Sequence, residues 1–335
     1  MKYVNILNSS DCGAFLRQVD SRKMSGFSFF ENSDMDIDWD YVVVYEEMKC
    51  ATTLRCRRGG LVFTGGEPED ARFYCKPFLK QFDILITSHS RLKKFPNHFY
   101  TNTALNWHYG FSHKNKSFSC NFGDLLCAKV PQKSADISVI TSNLTKLRGH
   151  LRRVLFLGDL RKRYGDRIDF FGKGGNFVDD KSEALLPYRF HIALENATRA
   201  HYWTEKLSDP ILAYAVPIYD GAPNIGEYFP KDSMYAVNID DRKSVYRIID
   251  GILENPCQAY SAKLPALVDA RGKLLDKYNF FAVLERIFAH NPIPDGDAVK
   301  VELRNNVDFP EQRKGRIARA AARNIRKLSY KLFSI

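Results

Sequence analysis

The sequence predicts an α/β protein of two domains followed by a basic amphipathic helix. Three observations carry this prediction. The chain of 335 residues is 44% hydrophobic and 13% aromatic, which suffices for two domains of about 100–200 residues with cores of their own. Its second half alternates short apolar runs with helical segments, the pattern of a parallel sheet covered on both faces. Its excess positive charge is gathered at the carboxyl terminus.

In the first half, residues 41–45 (YVVVY), 61–64 (LVFT) and 82–87 (FDILIT) are β-branched and aromatic runs bounded by Gly, Pro and charged residues, as buried strands are. Residues 90–133, rich in Asn, Ser, His and aromatics, read as long surface loops. A linker is expected at 131–135. The second half predicts strands at 137–141, 168–171, 189–194, 216–219 and 234–238. Between them fall helices at about 144–164, 180–186 and 204–214. The domain spans are therefore 1–133, 134–305 and a tail from 306 to 335. Ligands of such sheets bind beyond the carboxyl ends of the strands, where loops enter helix N-termini.

The net charge is +11, but Arg313, Lys314, Arg316, Arg319, Arg323, Arg326, Lys327 and Lys331 supply eight charges after residue 312, with no acidic residue among them. Only +3 remains for residues 1–312, so nucleic acid is not an expected partner. Within the tail, Ile317, Ala321, Ile325, Leu328 and Leu332 recur at helical steps. That stripe between cations suits an anionic membrane surface; a terminal helix packed on the body is the alternative. No run of about 20 apolar residues is present, and the first residues show neither a basic segment nor a long apolar stretch. The expected location is cytoplasmic, peripheral at the inner face of the membrane. Seven scattered cysteines without a C-x-x-C pair are expected to be reduced and mostly buried.

The most informative segment is 188–219, YRFHIALENATRAHYWTEKLSDPILAYAVPIY. A strand ends in Glu195 and Asn196, a polar loop follows, and Thr204, a natural N-cap, opens a helix with Glu205 and Lys206. The free N–H groups and positive dipole end of that helix, with Lys206 beside them, form a seat for an anionic diphosphate. Asp179, Asp180, Asp240 and Asp241 read as cap or turn residues. The glycine-rich run 172–175 reads as a turn. His191 alternates like a packed residue. Residues 107–110 (WHYG) are either an acceptor platform or loop anchors.

This segment resembles the donor signature of glycosyltransferase family 10, the α-1,3/1,4-fucosyltransferases, in its bacterial type. The matches are Tyr188-Arg189-Phe190, Leu194-Glu195-Asn196, Tyr202-Trp203-Thr204-Glu205-Lys206 and residues 216–223 (VPIYDGAP). A second likeness lies at Ser142-Asn143, with Arg148 six residues after Ser142. A third, weaker one lies at residues 63–69 (FTGGEPE), where the family carries an N-E-S-P form that this sequence lacks.

The resemblance implies two facing Rossmann-like domains, the GT-B arrangement, with acceptor mainly in the first and donor in the second. It implies direct displacement with inversion, moving fucose from GDP-fucose to a hydroxyl of a bacterial surface glycan such as lipopolysaccharide, O-antigen or capsule. Glu67 is then the general base, with Glu69 in reserve. Arg148 and Lys206 stabilise the leaving diphosphate, and Glu205 holds the sugar or balances its developing positive charge. The donor contacts would be Ser142, Asn143, Arg148, Glu195, Asn196, Tyr202, Thr204, Glu205 and Lys206. No essential cofactor or metal is expected, a divalent ion at most stimulating the reaction. The competing readings are the same fold with another nucleotide sugar, and a non-catalytic carbohydrate- or nucleotide-binding protein.

Overall fold

Val-, Ile- and aromatic-rich runs too short for helices become the strands of two separate parallel sheets. A computed structural model of the protein describes residues 1–9, 14–23, 26–103, 106–141, 148–172, 175–294 and 296–312, with only the backbone of Arg148. The first sheet is built from β1 (Lys2–Leu7), β2 (Phe27–Glu31), β3 (Tyr41–Tyr45), β4 (Leu61–Gly65), β5 (Ile84–Thr87) and β6 (His98–Tyr100), in the order β2-β1-β3-β4-β5-β6. From β2 through β5 every pairing is parallel. Val42 and Val44 of β3, Phe63 of β4 and Leu85 of β5 share one core with Phe78 and Phe82. Beside this sheet, Ala298–Leu303 pairs antiparallel with Thr52–Arg57, which pairs in turn with Asp38–Trp39.

The second sheet comprises β7 (Ala135–Thr141), β8 (Asp169–Gly172), β9 (Tyr188–Leu194), β10 (Val216–Asp220) and β11 (Tyr235–Ala236), in the order β8-β7-β9-β10-β11, parallel throughout. Its helices are α1 (Arg148–Tyr164), α2 (Glu205–Leu212), α3 (Arg242–Glu254), α4 (Pro256–Asp276) and α5 (Phe280–His290). Strands β9 and β10 are buried on both faces, as a doubly covered parallel sheet requires. Phe190 and Ile192 of β9, Val216 and Ile218 of β10, and Leu207 and Ile211 of α2 lie in a single core.

Two compact units result. One contains 1–10, 26–99 and the chain from 291; the other contains 11–25 and 100–290. They differ from the spans 1–133 and 134–305 read from the sequence, and long-range pairing explains why. Residues 298–303 complete a sheet with 52–57, and Asn306 bonds to the backbone of Phe73 and Cys75. Conversely, Trp107, Phe122 and Leu125 belong to the core of the second sheet. The stretch 90–133 is thus more than surface loop: it holds β6, a hairpin of Phe111–Ser112 with Ser117–Phe118, and the capped helix Phe122–Cys127. Trp107 is a buried anchor, which removes it from any acceptor platform.

The described cysteines are free thiols, but Cys50, Cys127 and Cys257 are exposed, so the expected burial holds only for Cys56 and Cys75. No described helix is long and apolar enough to cross a membrane. The basic segment 313–335 lies outside the described residues.

Candidate functional site

The carboxyl ends of β9 and β10 and the start of α2 gather most of the polar residues singled out in the sequence. Glu195 follows β9 directly, its N–H donating to the Asp220 carbonyl at 2.9 Å. Its buried carboxylate accepts the Thr204 N–H at 2.7 Å and the Thr204 hydroxyl at 2.8 Å. Thr204 caps α2, and its oxygen in turn accepts from the Lys206 ammonium at 3.2 Å. One hydroxyl therefore donates to a strand-end carboxylate while receiving from a lysine, which fixes both against the helix start.

Lys206 Nζ also lies 3.0 Å from Glu205 Oε1 and 4.0 Å from Glu195 Oε2. The two glutamates respond differently. Burial pushes the Glu195 carboxyl up to about 7, opposed by Lys206 and reinforced by the neighbouring Glu205 charge. Burial would raise Glu205 as well, but Lys206 and Lys181 together hold it well below the usual carboxylate range. The start of α2 thus presents a lysine beside a firmly ionised glutamate, and behind them a carboxyl that takes up a proton near neutrality.

Two glycines explain how the backbone closes around this turn. A Cβ at Gly221 would stand 2.1 Å from the Tyr219 hydroxyl and 2.6 Å from Glu195 Cγ. A Cβ at Gly149, in the first turn of α1, would stand 1.8 Å from the Asn196 carbonyl oxygen. Helix α1 therefore meets the loop after β9 by direct backbone approach. Two arginines hold it there: Arg153 donates to the Leu194 carbonyl at 3.1 Å, and Arg152 forks onto Asp220 while its Nε reaches Asp240 at 2.8 Å. Gly221→Ala should displace Tyr219 or Glu195 and cost about 1–3 kcal/mol, the usual penalty of overpacking. Thermal unfolding checks this, and a Tm equal to that of the parent chain would contradict it.

Among the expected donor residues, Glu195, Thr204, Glu205 and Lys206 meet within bonding distance. Half-buried Asn196 abuts α1, and Tyr202 is buried just ahead of the cap. Ser142, Asn143 and the side chain of Arg148 lie outside the described residues; the backbone of Arg148 begins α1. Asp180 caps a 3-10 turn, Lys181–Ala184, and Asp241 caps α3. His191 is a packed residue, bonded to the Ser138 hydroxyl at 2.8 Å. The described residues hold no group of three or more His, Cys, Asp or Glu suited to a metal ion.

Sequence reading missed Lys181 and Asp209. Lys181 Nζ lies 3.0 Å from Asp209 Oδ2 and 3.6 Å from Glu205 Oε1. It missed Asn102 too, whose amide donates to the carbonyls of His201 and Trp203 and so clamps the loop ahead of Thr204.

In the first unit, Glu67 follows β4 and is exposed. Its backbone is held tightly: its N–H donates to Glu46 Oε1 at 2.7 Å and its carbonyl accepts from His89 Nε2 at 2.9 Å. Glu46, just after β3, adopts φ +60° and accepts the Tyr74 hydroxyl as well. Burial lifts its carboxyl to about 6, against the pull of the Glu67 N–H, Arg72 and Tyr74. A non-glycine residue in left-handed backbone is a strained feature that its surroundings must hold in place. Glu69, by contrast, is engaged by Ser90 and the Arg91 N–H.

Comparison with known proteins bears on the second unit above all. Residues 130–255 match the description "Glycosyltransferase family 10 (fucosyltransferase) C-term". Alpha-(1,3)-fucosyltransferase FucT of Helicobacter pylori is 36% identical over 78 residues, 23% of this chain and 16% of that protein. GDP-fucose protein O-fucosyltransferase 3 of Xenopus laevis is 42% identical over 59 residues, 17% of this chain and 13% of its own length. The chain thus spans less than a fifth of the curated relatives it matches. A crystal structure of an alpha1,3-fucosyltransferase superposes with a TM-score of 0.52 at 18% identity, covering 88% of this chain and 90% of that one. A second, with GDP, gives 0.50 at 18% identity, over 87% and 91%. This likeness shows the fold: mixed α/β with parallel sheets, of the GT-B glycosyltransferase type.

Proposed function

The chain belongs to glycosyltransferase family 10 through its residues 130–255, and from that premise we propose that it transfers fucose from GDP-fucose to a carbohydrate hydroxyl. The observation that carries the proposal is the start of α2. Lys206 and the positive dipole end of α2 stand over a cap that Glu195 holds in place, Thr204 itself taking the N–H groups of Lys206, Leu207 and Ser208. A diphosphate placed there gains both the helix dipole and the ammonium. Such fixed charges act on the negative charge that grows on the departing diphosphate, where electrostatic stabilisation is worth most. Glu205, ionised beside it, complements the positive charge that develops on the sugar carbon.

The proposal takes Glu67 as the base that removes the acceptor proton, giving displacement with inversion. The acceptor is a bacterial surface glycan, and the basic residues 313–335 bring the enzyme to an anionic membrane face. Family likeness and the fucosyltransferase of Helicobacter pylori among the relatives support the first of these; the tail composition supports the second.

Thermal shift with GDP, UDP, CMP and dTDP sugars tests the donor. GDP and GDP-fucose should stabilise the protein by about 2.7 kcal/mol at a hundredfold excess over Kd, and the other nucleotides by much less. Preferential stabilisation by a UDP-sugar would remove fucose and leave sugar transfer standing.

A further inference from the structure

Lys206 carries two duties at once. Its ammonium lies 3.0 Å from Glu205 Oε1, and it is the cation offered to a diphosphate. The Glu205 side chain is 15% exposed, so losing its counter-ion would leave a largely buried carboxylate uncompensated, a costly arrangement. Either Glu205 would take up a proton or it would keep Lys206 from the phosphates. The same oxygen has a second cation within reach. Lys181 Nζ stands 3.6 Å from Glu205 Oε1. It approaches from the 3-10 turn Lys181–Ala184, on a different element from Lys206.

Lys181 is itself fixed in direction. Asp209 Oδ2 holds its ammonium at 3.0 Å, and Asp209 Oδ1 accepts the His108 N–H at 3.0 Å. Asp209 is buried on α2, one turn beyond Glu205. The carboxylates of Glu205 and Asp209 therefore line one side of α2 and share Lys181, while Lys206 serves Glu205 alone of this pair. When Lys206 turns to an incoming diphosphate, Lys181 stays behind with both carboxylates.

We propose that Lys181 is a positioning residue of the donor site, the permanent counter-ion that keeps Glu205 charged and in place once Lys206 engages the diphosphate. It touches neither donor nor acceptor; it acts through Glu205. The inference rests on the donor reading above and deepens it.

The test is a double-mutant cycle on GDP-fucose turnover with the full chain, using Lys181→Met, Glu205→Gln and the pair, with Lys181→Arg as the conservative variant. Wild-type turnover and GDP binding are measured first, and their absence would sink the donor reading itself. With turnover in hand, Lys181→Met should lower kcat at least tenfold. Lys181→Arg should restore most of the loss. In the Glu205→Gln background the same Lys181→Met change should cost at most two- to threefold, since its partner no longer carries charge. Equal losses in both backgrounds, or a Lys181→Met chain of unchanged kcat and KM, would overturn the proposal and leave the donor reading intact. Should Lys181→Met not fold, Asp209→Asn replaces it in the cycle. That change frees Lys181 from its anchor and should couple to Glu205→Gln in the same sense; additive losses would again overturn the role.

Discussion

Glu67→Gln should lower sugar transfer by on the order of 10²–10⁴-fold, the range that general base catalysis contributes, while GDP binding stays at the wild-type level. Gln keeps the length and shape of the side chain and loses only the capacity to accept a proton. The clamp on this loop does not use the Glu67 carboxylate at all: it runs through the backbone N–H on Glu46 and the backbone carbonyl on His89. The substitution should therefore leave the loop in place and remove the proposed base alone. The proposed donor residues Glu195, Thr204, Glu205 and Lys206 sit in the other compact unit, so GDP affinity is an independent control. Glu69→Gln should retain most activity, since Glu69 is engaged by Ser90 and the Arg91 N–H. Initial-rate kinetics with a soluble acceptor read both variants. Unchanged turnover in Glu67→Gln would reject its role as base.

The second large effect is expected at Lys206. Lys206→Met keeps most of the stem and removes the charge, and kcat should fall by on the order of 10²–10³-fold, as when one fixed charge-stabilising donor is lost. The loss should exceed the loss of GDP affinity, because negative charge on the diphosphate is greatest as the bond to the sugar breaks. The Glu195 carboxyl, already lifted to about 7 by burial against the pull of Lys206, should rise further. Folding should be affected little, since Thr204 retains its two bonds to Glu195. Single-turnover kinetics beside calorimetric GDP binding separate the two effects. A variant that loses binding and kcat in equal measure would make Lys206 a ground-state contact only.

Much of the second unit was legible because its signals are local. The alternation of YRFHIAL gives β9, and a threonine before Glu-Lys gives the cap of α2. Asp241 read as a cap or turn residue and does cap α3, a helix that the sequence reading did not place. His191 read correctly as packed for the same reason. What escaped was long-range. Lys181 meets Asp209, 28 residues away, and no spacing rule links a 3-10 turn to a helix beyond an intervening strand. The carboxyl-terminal strand Ala298–Leu303 pairs with Thr52–Arg57, so the chain returns to its first unit where a simple succession of domains was expected.

Glu46 is a different kind of omission, because its signal was available. It directly follows the apolar run YVVVY, at the carboxyl end of a parallel strand, as Glu67 lies just after the neighbouring strand LVFTG, where the family resemblance had pointed. The edge strand FSFFE was hidden by a phenylalanine pattern that fits no single period, and its residues are only half-buried.

The most direct measurement is a crystal structure with GDP or GDP-fucose bound. Diphosphate oxygens are expected within about 2.7–3.2 Å of Lys206 Nζ and over the first turn of α2, with Lys181 still on Glu205 and Asp209. A nucleotide seated elsewhere, with Lys206 still closed on Glu205 and Thr204, would contradict that placement.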